Sequence, residues 1–174
     1  MRYAGFWLRL RANLVDTIVN FPLIVLGWPG FLPRSASIWA AIPAFIVGAS
    51  YTVVMNACWG QTLGKMAARI RIVRVSGAPI SWREALLRDS VSIALGVIST
   101  AAHVVALLHV PESKWSRNWT QQAQLVRAAN PTWGHAATTV VAVWFWGELF
   151  VLLFNRKRRA LHDFIAGTVV VRMT

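Results

Sequence analysis

Carboxylates and cysteine are scarce in this chain. Among its 174 residues Cys58 is the single cysteine, so no intrachain disulfide can form and redox chemistry says nothing about compartment. Six Asp and Glu stand against 18 Lys and Arg, a net charge of +12. No paired-carboxylate, Ser/His/Asp or His-Glu-x-x-His arrangement is evident, and the chain is expected to be non-enzymatic. A nucleotide loop is missing as well. Gly60-Gln61-Thr62-Leu63-Gly64-Lys65 has three residues between its glycines and Met66 after the lysine, whereas a phosphate loop needs four and then Ser or Thr. No cleavable signal pattern is visible, because aromatics interrupt Arg2 to Arg11 and the apolar run beyond contains Asp16, Asn20 and Pro22.

What fills the chain instead is apolar. Hydrophobic residues make up 56% and charged ones 14%, with mean hydropathy +0.50, too apolar for a soluble domain of this length. An integral membrane protein follows. Ten tryptophans agree with it, since indole rings gather at the headgroup level. The basic excess alone would suit nucleic acid or an anionic surface. Beside apolar spans, the basic alternation of Arg69 to Val75 is better matched to anionic headgroups on the cytoplasmic side, and no nucleic-acid partner is expected.

The expected fold is an all-α membrane protein with four transmembrane helices, at about 12–31, 37–59, 87–110 and 133–154, each near the roughly 20 residues that cross a bilayer. Tyr3, Phe6, Trp7 and Leu10 at helical spacing predict an N-terminal interfacial helix leading into the first span. Arg9, Asn13, Asp16 and Asn20 then stack along one face, which should look into the protein, and Pro22 is a kink position beyond them. Residues 69–75 alternate like a strand in a small cytoplasmic loop, with a turn at Ser76-Gly77-Ala78-Pro79. Ser81 and Glu84 form a capping-box pattern before the third span. In the last outer loop, residues 112–133, Trp115, Trp119, Ala123 and Val126 predict a short helix on the membrane surface.

Charge sets the orientation. Arg2, Arg9 and Arg11, then Lys65, Arg69, Arg71, Arg74, Arg83 and Arg88, then Arg156, Lys157, Arg158, Arg159 and Arg172 fall on one side of a four-span chain. Only Arg34, Lys114, Arg117 and Arg127 fall on the other, so both termini are expected in the cytoplasm.

Three separated motifs carry a family resemblance: Tyr3-Ala4-Gly5-Phe6-Trp7 with Arg9 and Asp16, the Gly60 to Lys65 loop with its strand-like continuation, and Leu161-His162-Asp163 with Ala166-Gly167-Thr168. In this order, over nearly the whole chain, they resemble the RDD family of small bacterial membrane proteins. That family is named for one arginine and two aspartates, which match Arg9, Asp16 and Asp163. The Trp-rich connection from Glu112 to Trp133 departs from its pattern. The resemblance implies a single domain over 1–174 in the bacterial cytoplasmic (inner) membrane. Of function it implies little: some members are linked to cation/proton antiport and others to accessory roles in membrane complexes.

Physical chemistry offers two roles for the named residues. Arg9 and Asp163 should lie near one membrane face, with Asp16 about two helical turns deeper than Arg9. A carboxylate beside arginine stays ionised and ties two helices together, so Arg9, Asp16 and Asp163 form either a structural clasp or an ion site. Clustering near one face favours the clasp, because coupling residues of transporters usually sit near the midplane. Glu148, nearer mid-span, is a candidate proton or ion carrier or a partner for His103 or a serine of the third span, while the plainer expectation is that it snorkels or hydrogen-bonds to a neighbouring helix. His103, His109 and His135 are candidate ligands for haem or a chlorophyll-type pigment; without a Cys-x-x-Cys-His signature the expectation is interfacial hydrogen bonding and no cofactor. The chain is thus expected to be an accessory, structural or assembly subunit beside other membrane subunits, with a small cation/proton transporter as the alternative.

Overall fold

The computed structural model describes residues 2–27, 31–115 and 118–173. Trp28 and Pro29, at the expected end of the first span, and Arg117 of the expected last outer loop lie outside the described residues. The chain is mostly helical, and among the described residues three helices are long and apolar enough to cross a membrane: α3 (Arg34–Trp59), α5 (Trp82–His109) and α7 (Thr132–Phe154). They cover the expected second, third and fourth spans. Their apolar residues run all the way round, and Trp39 and Phe154 leave 80% and 75% of their surface uncovered, as suits helices that face hydrocarbon.

The expected first span is not one continuous helix. It is divided into α1 (Phe6–Val19) and α2 (Phe21–Gly27), and neither has the length of the other three. The chemistry of the break is local. Pro22 has no N–H to return to the preceding turn, and Asn20 occupies the end of α1 instead, its side-chain Nδ2 (2.8 Å) and backbone N–H (3.0 Å) both donating to the Asp16 carbonyl.

Two compact units divide the chain, and α3, α5 and α7 contribute residues to both. The first contains residues 1–20, 49–92 and 143–174. Its centre is a two-stranded antiparallel sheet of β1 (Ile70–Arg74) and β2 (Thr168–Arg172), in register Ile70 with Arg172 and Ile72 with Val170. The strand-like alternation at 69–75 thus becomes a strand. Its partner β2 is a run of β-branched residues that the sequence reading passes over. Residues 2–4 extend the pairing on the far edge of β2: Ala4 N–H donates to Val170 O at 2.8 Å, and Arg172 N–H to Arg2 O at 2.9 Å. Ile70, Ile72, Val169 and Val170 fill the interior. Beside the sheet stand two single-turn helices, α4 (Leu63–Ala67) and α8 (Leu161–Ile165). At the start of α5, Glu84 accepts from the Ser81 N–H (2.8 Å) and hydroxyl (2.6 Å) and from Arg74 Nη2 (3.0 Å), so the capping acid also ties β1 to the helix.

The second unit contains residues 21–48 and 93–142. Here Ala106, Leu107, Val110 and Val126 form a buried cluster with Ile38, Trp115 and Leu125 against it. Arg34 closes the end of α5 by donating to the carbonyls of Leu107 (3.0 Å) and Leu108 (2.9 Å). The helix expected in the last loop is α6 (Trp119–Ala128), started by the Asn118 side chain, which accepts from Thr120 N–H. Trp115 is not part of it: a 3₁₀ turn at Glu112–Lys114 precedes, and the Trp115 indole donates to Leu32 O at 3.3 Å.

Candidate functional site: a buried charge cluster

Asp163 is the third residue of α8, where its carboxylate reaches back to the Ala160 N–H (Oδ2, 3.0 Å) and caps the helix. That short reach leaves both oxygens free for longer partners. From α1, Arg9 Nη1 donates to Oδ2 at 2.7 Å. From α5, Arg88 Nη1 donates to Oδ1 and also, at 2.9 Å, to Thr168 Oγ1, whose hydroxyl donates to Oδ1 at 3.2 Å. Asp163 is fully buried, and four donors from three parts of the chain satisfy it.

Burial alone would push the Asp163 carboxyl up, but the Arg88 and Arg9 guanidiniums outweigh it and hold the group far below the usual carboxylate range. Arg9 also donates to Arg158 O at 2.5 Å.

The cluster extends through His162. Arg88 Nη2 lies 2.7 Å from His162 Nε2, and a guanidinium only donates, so Nε2 must be the bare nitrogen. The proton is thereby assigned to Nδ1, which donates to Glu148 Oε1 on α7. His162 is held neutral: burial and the Arg88 charge both push its pKa down, against the carboxylates of Glu148 and Asp163. Two guanidiniums, two carboxylates and a neutral imidazole therefore join α1, α5, α7 and α8 in one chain of bonds. Arg159, from the basic run, closes the loop around it by donating to Asp163 O (3.0 Å) and Thr168 O (3.1 Å) while lying over the Phe164 ring.

Asp16 does not join Arg9 and Asp163. It accepts from Tyr51 OH (2.8 Å), Thr62 Oγ1 (2.5 Å) and Gly64 N–H (2.8 Å), and so binds α1 to α3 and to the first turn of α4. The Gly60 to Lys65 motif is accounted for residue by residue here. Gln61 Nε2 donates to Ile70 O at 2.8 Å, Thr62 caps α4, and Lys65 Nζ donates to Thr62 Oγ1 at 3.2 Å. Gly64 allows α1 to approach, since a Cβ there would lie 2.0 Å from Ala12 O and 2.7 Å from Asp16 Cγ. Burial pushes the Lys65 ammonium down to about 8, with Arg88 adding to the effect and Asp16 and Asp89 opposing it.

Of the sequence candidates, then, Arg9, Asp163 and Glu148 are brought into one cluster, and Asp16 anchors another. Glu148 meets His162 rather than His103 or a serine. His109 Nδ1 lies 2.7 Å from Val105 O of its own helix, His103 lines a cavity in the second unit, and His135 is exposed. Among the described residues no group of three or more His, Cys, Asp or Glu side chains is arranged to hold a metal ion. Arg88, His162 and Thr168 are the members that sequence reasoning misses; His162 and Thr168 lie inside the last motif, next to and five residues beyond Asp163.

Over 175 aligned residues, 98% of this chain and 85% of the relative, the sequence is 31% identical to YckC of Bacillus subtilis (strain 168), described as an uncharacterized protein. Over 99 residues, 51% of this chain and 60% of the relative, it is 31% identical to YteJ of the same organism, described as an uncharacterized membrane protein. No solved structure gives a significant match. The RDD family profile matches residues 3–167, which include Arg9, Asp16, Arg88, Asp163 and all three long apolar helices, so the chain belongs to the RDD family of membrane proteins.

Proposed function

We propose that the chain is a non-enzymatic, four-span protein of the bacterial inner membrane that serves as an accessory or assembly subunit, packing against a larger membrane complex. The observation that carries this reading is the saturation of Asp163: buried, with every lone-pair direction answered from within the chain, it has the character of a clasp. Asp16, with three donors, is engaged in the same way. The small size, the tryptophans on the outer surface and the absence of a catalytic motif agree with a role in lateral packing.

Four crossings are favoured by parity. Residues 2–4, β1 and β2 are hydrogen-bonded together, so the two ends of the chain share a side of the membrane. Three spans are an odd number and would leave the ends on opposite sides. For a fourth crossing before Arg34 the segment 6–27 is long enough, about 33 Å if its two helices continue one another. The basic residues on the shared side make it the cytoplasmic one, with anionic headgroups as its lipid partners.

Purification in mild detergent tests the reading: a defined set of larger membrane proteins should accompany the chain, and a chain that always emerges alone counts against it. A second reading, a small cation/proton transporter, is favoured by one feature. Lys65, with its lowered pKa, has Asp16 and Asp89 as charged neighbours, and Asp89 Oδ2 is buried with no hydrogen-bond partner among the described residues. Cation-dependent proton flux in vesicles, lost in a folded Asp16→Asn variant, would establish that role. Loss of the protein itself in Asp16→Asn would assign the residue to packing.

A further inference from the structure

Within the charge cluster of the first unit, His162 alone belongs to a residue type that ordinarily titrates near neutrality. Its ring stands between helices. From α5 it faces Arg88, whose Nη2 is 2.7 Å from Nε2, and from α7 it faces Glu148, whose Oε1 accepts from Nδ1. On its own helix Asp163 Oδ1 is 3.9 Å from Nε2, and Arg9 of α1 occupies the other oxygen of that carboxylate.

Water reaches the imidazole but not the clasp. The side chains of His162 and Glu148 are each 21% exposed while that of Asp163 is wholly buried, so a proton can arrive at the ring with both arginines still on Asp163. Arg88 holds the two neighbours through different nitrogens, Asp163 through Nη1 and His162 through Nη2. One contact can therefore open while the other persists.

The effect of a second proton on the ring follows from the donors. Neutral His162 accepts at Nε2 and donates at Nδ1, and so holds α5 and α7 at once. Protonated, it donates from both nitrogens, and its Nε2–H would meet an N–H of the like-charged Arg88. The same positive charge strengthens the bond to the Glu148 carboxylate.

We propose that His162 is an acid-operated switch: neutral, it fastens α8 to both α5 and α7; protonated, it releases Arg88 and holds α8 to α7 alone as an imidazolium–carboxylate pair. The device is independent of any partner protein. Burial and the Arg88 charge keep the imidazole below its ordinary pKa, so the switch answers to acidification below about pH 6.5. The clasp at Asp163 stays closed throughout, because Arg88 and Arg9 hold that carboxyl far below the usual range.

The test uses the full chain in mild detergent, with His103→Gln, His109→Gln and His135→Gln leaving His162 as the single histidine, and follows its ring nitrogens by NMR during acidification. At neutral pH only Nδ1 should carry a proton, and Nε2 should gain one at a lower pH than in free histidine. Glu148→Gln, which removes the group that receives the imidazolium, should move that midpoint to still lower pH. In a second measurement, hydrogen exchange of the wild-type chain is compared with that of His162→Gln, whose amide keeps both bonds at any pH. Below the midpoint the amides of residues 161–166 should exchange about tenfold faster than in His162→Gln, the loss of one hydrogen bond to a charged group, with the β2 amides unchanged. A proton on Nε2 at neutral pH would overturn the switch, as would exchange that tracks His162→Gln at every pH. An equal rise in β2 would show the whole clasp opening, and a midpoint unmoved by Glu148→Gln would remove α7 as the receiving helix; either result sinks the proposal. The nitrogen measurement leaves position 162 untouched and the exchange comparison leaves the other histidines in place, so failure of one variant to fold leaves the other measurement decisive.

Discussion

Removing the charge of Asp163 leaves two buried guanidiniums facing one another without their shared counterion. Breaking one partner of a buried pair costs about 3–5 kcal/mol, so Asp163→Asn should lower the thermal midpoint in detergent by many degrees or abolish accumulation. A midpoint within a degree or two of wild type would show that the cluster is not a clasp. His162 adds a pH dependence of definite sign. Its folded pKa lies below the unfolded value of about 6.5, so its contribution is complete above that value and is lost as pH falls below it, when protonation would set an imidazolium against Arg88. Stability should therefore decline on acidification from about pH 6.5 downward, and His162→Gln should flatten that part of the curve. The Asp163 contribution has the same sign but persists to far more acid conditions. At this scale the sequence names the acid and not its company. Arg88 and Asp163 are 75 residues apart, and no local pattern tells which of the many arginines an acid will face.

Among the elements, the contact of α1 with α4 depends on the missing Cβ of Gly64. Gly64→Ala would drive a methyl into Ala12 O and the Asp16 carboxylate, an overpacking expected to destabilise by about 3 kcal/mol. Gly48→Ala, within α3 and 3.9 Å from Leu23 Cδ1, should be neutral or stabilising and serves as the control for thermal unfolding. The long helices were legible because hydropathy is a running sum that needs no knowledge of the fold, and their ends agree within a few residues with 37–59, 87–110 and 133–154. The interruption at Asn20 was harder to place. Apolar composition continues across it, and only the missing N–H of Pro22 and the competing amide of Asn20 divide the helix. Strand β2 was missed because a five-residue apolar stretch after a basic run reads equally well as a tail, although three consecutive valines were the available sign.

For the molecule as a whole the orientation is the first thing to measure. In a Cys58→Ser background, Lys157→Cys should react with a membrane-impermeant maleimide only in inverted vesicles, and Thr120→Cys only in right-side-out ones; reversed or identical accessibility would overturn the four-span arrangement. Class and family were readable from composition and motifs, since those properties are spread over the entire chain. The pairing of residues 2–4 with β2 was not, because it joins the two ends of the polypeptide and has no local signature. That pairing also bears on the order of events during synthesis. Arg9 emerges from the ribosome before Arg88, and the carboxylate that neutralises both follows 75 residues after Arg88. The first helix is therefore made well before its counterion, and its arginine stays unmatched until Asp163 has been added. A chain stopped short of Asp163 would display two uncompensated cations, a mark by which quality control could tell an unfinished copy from a finished one.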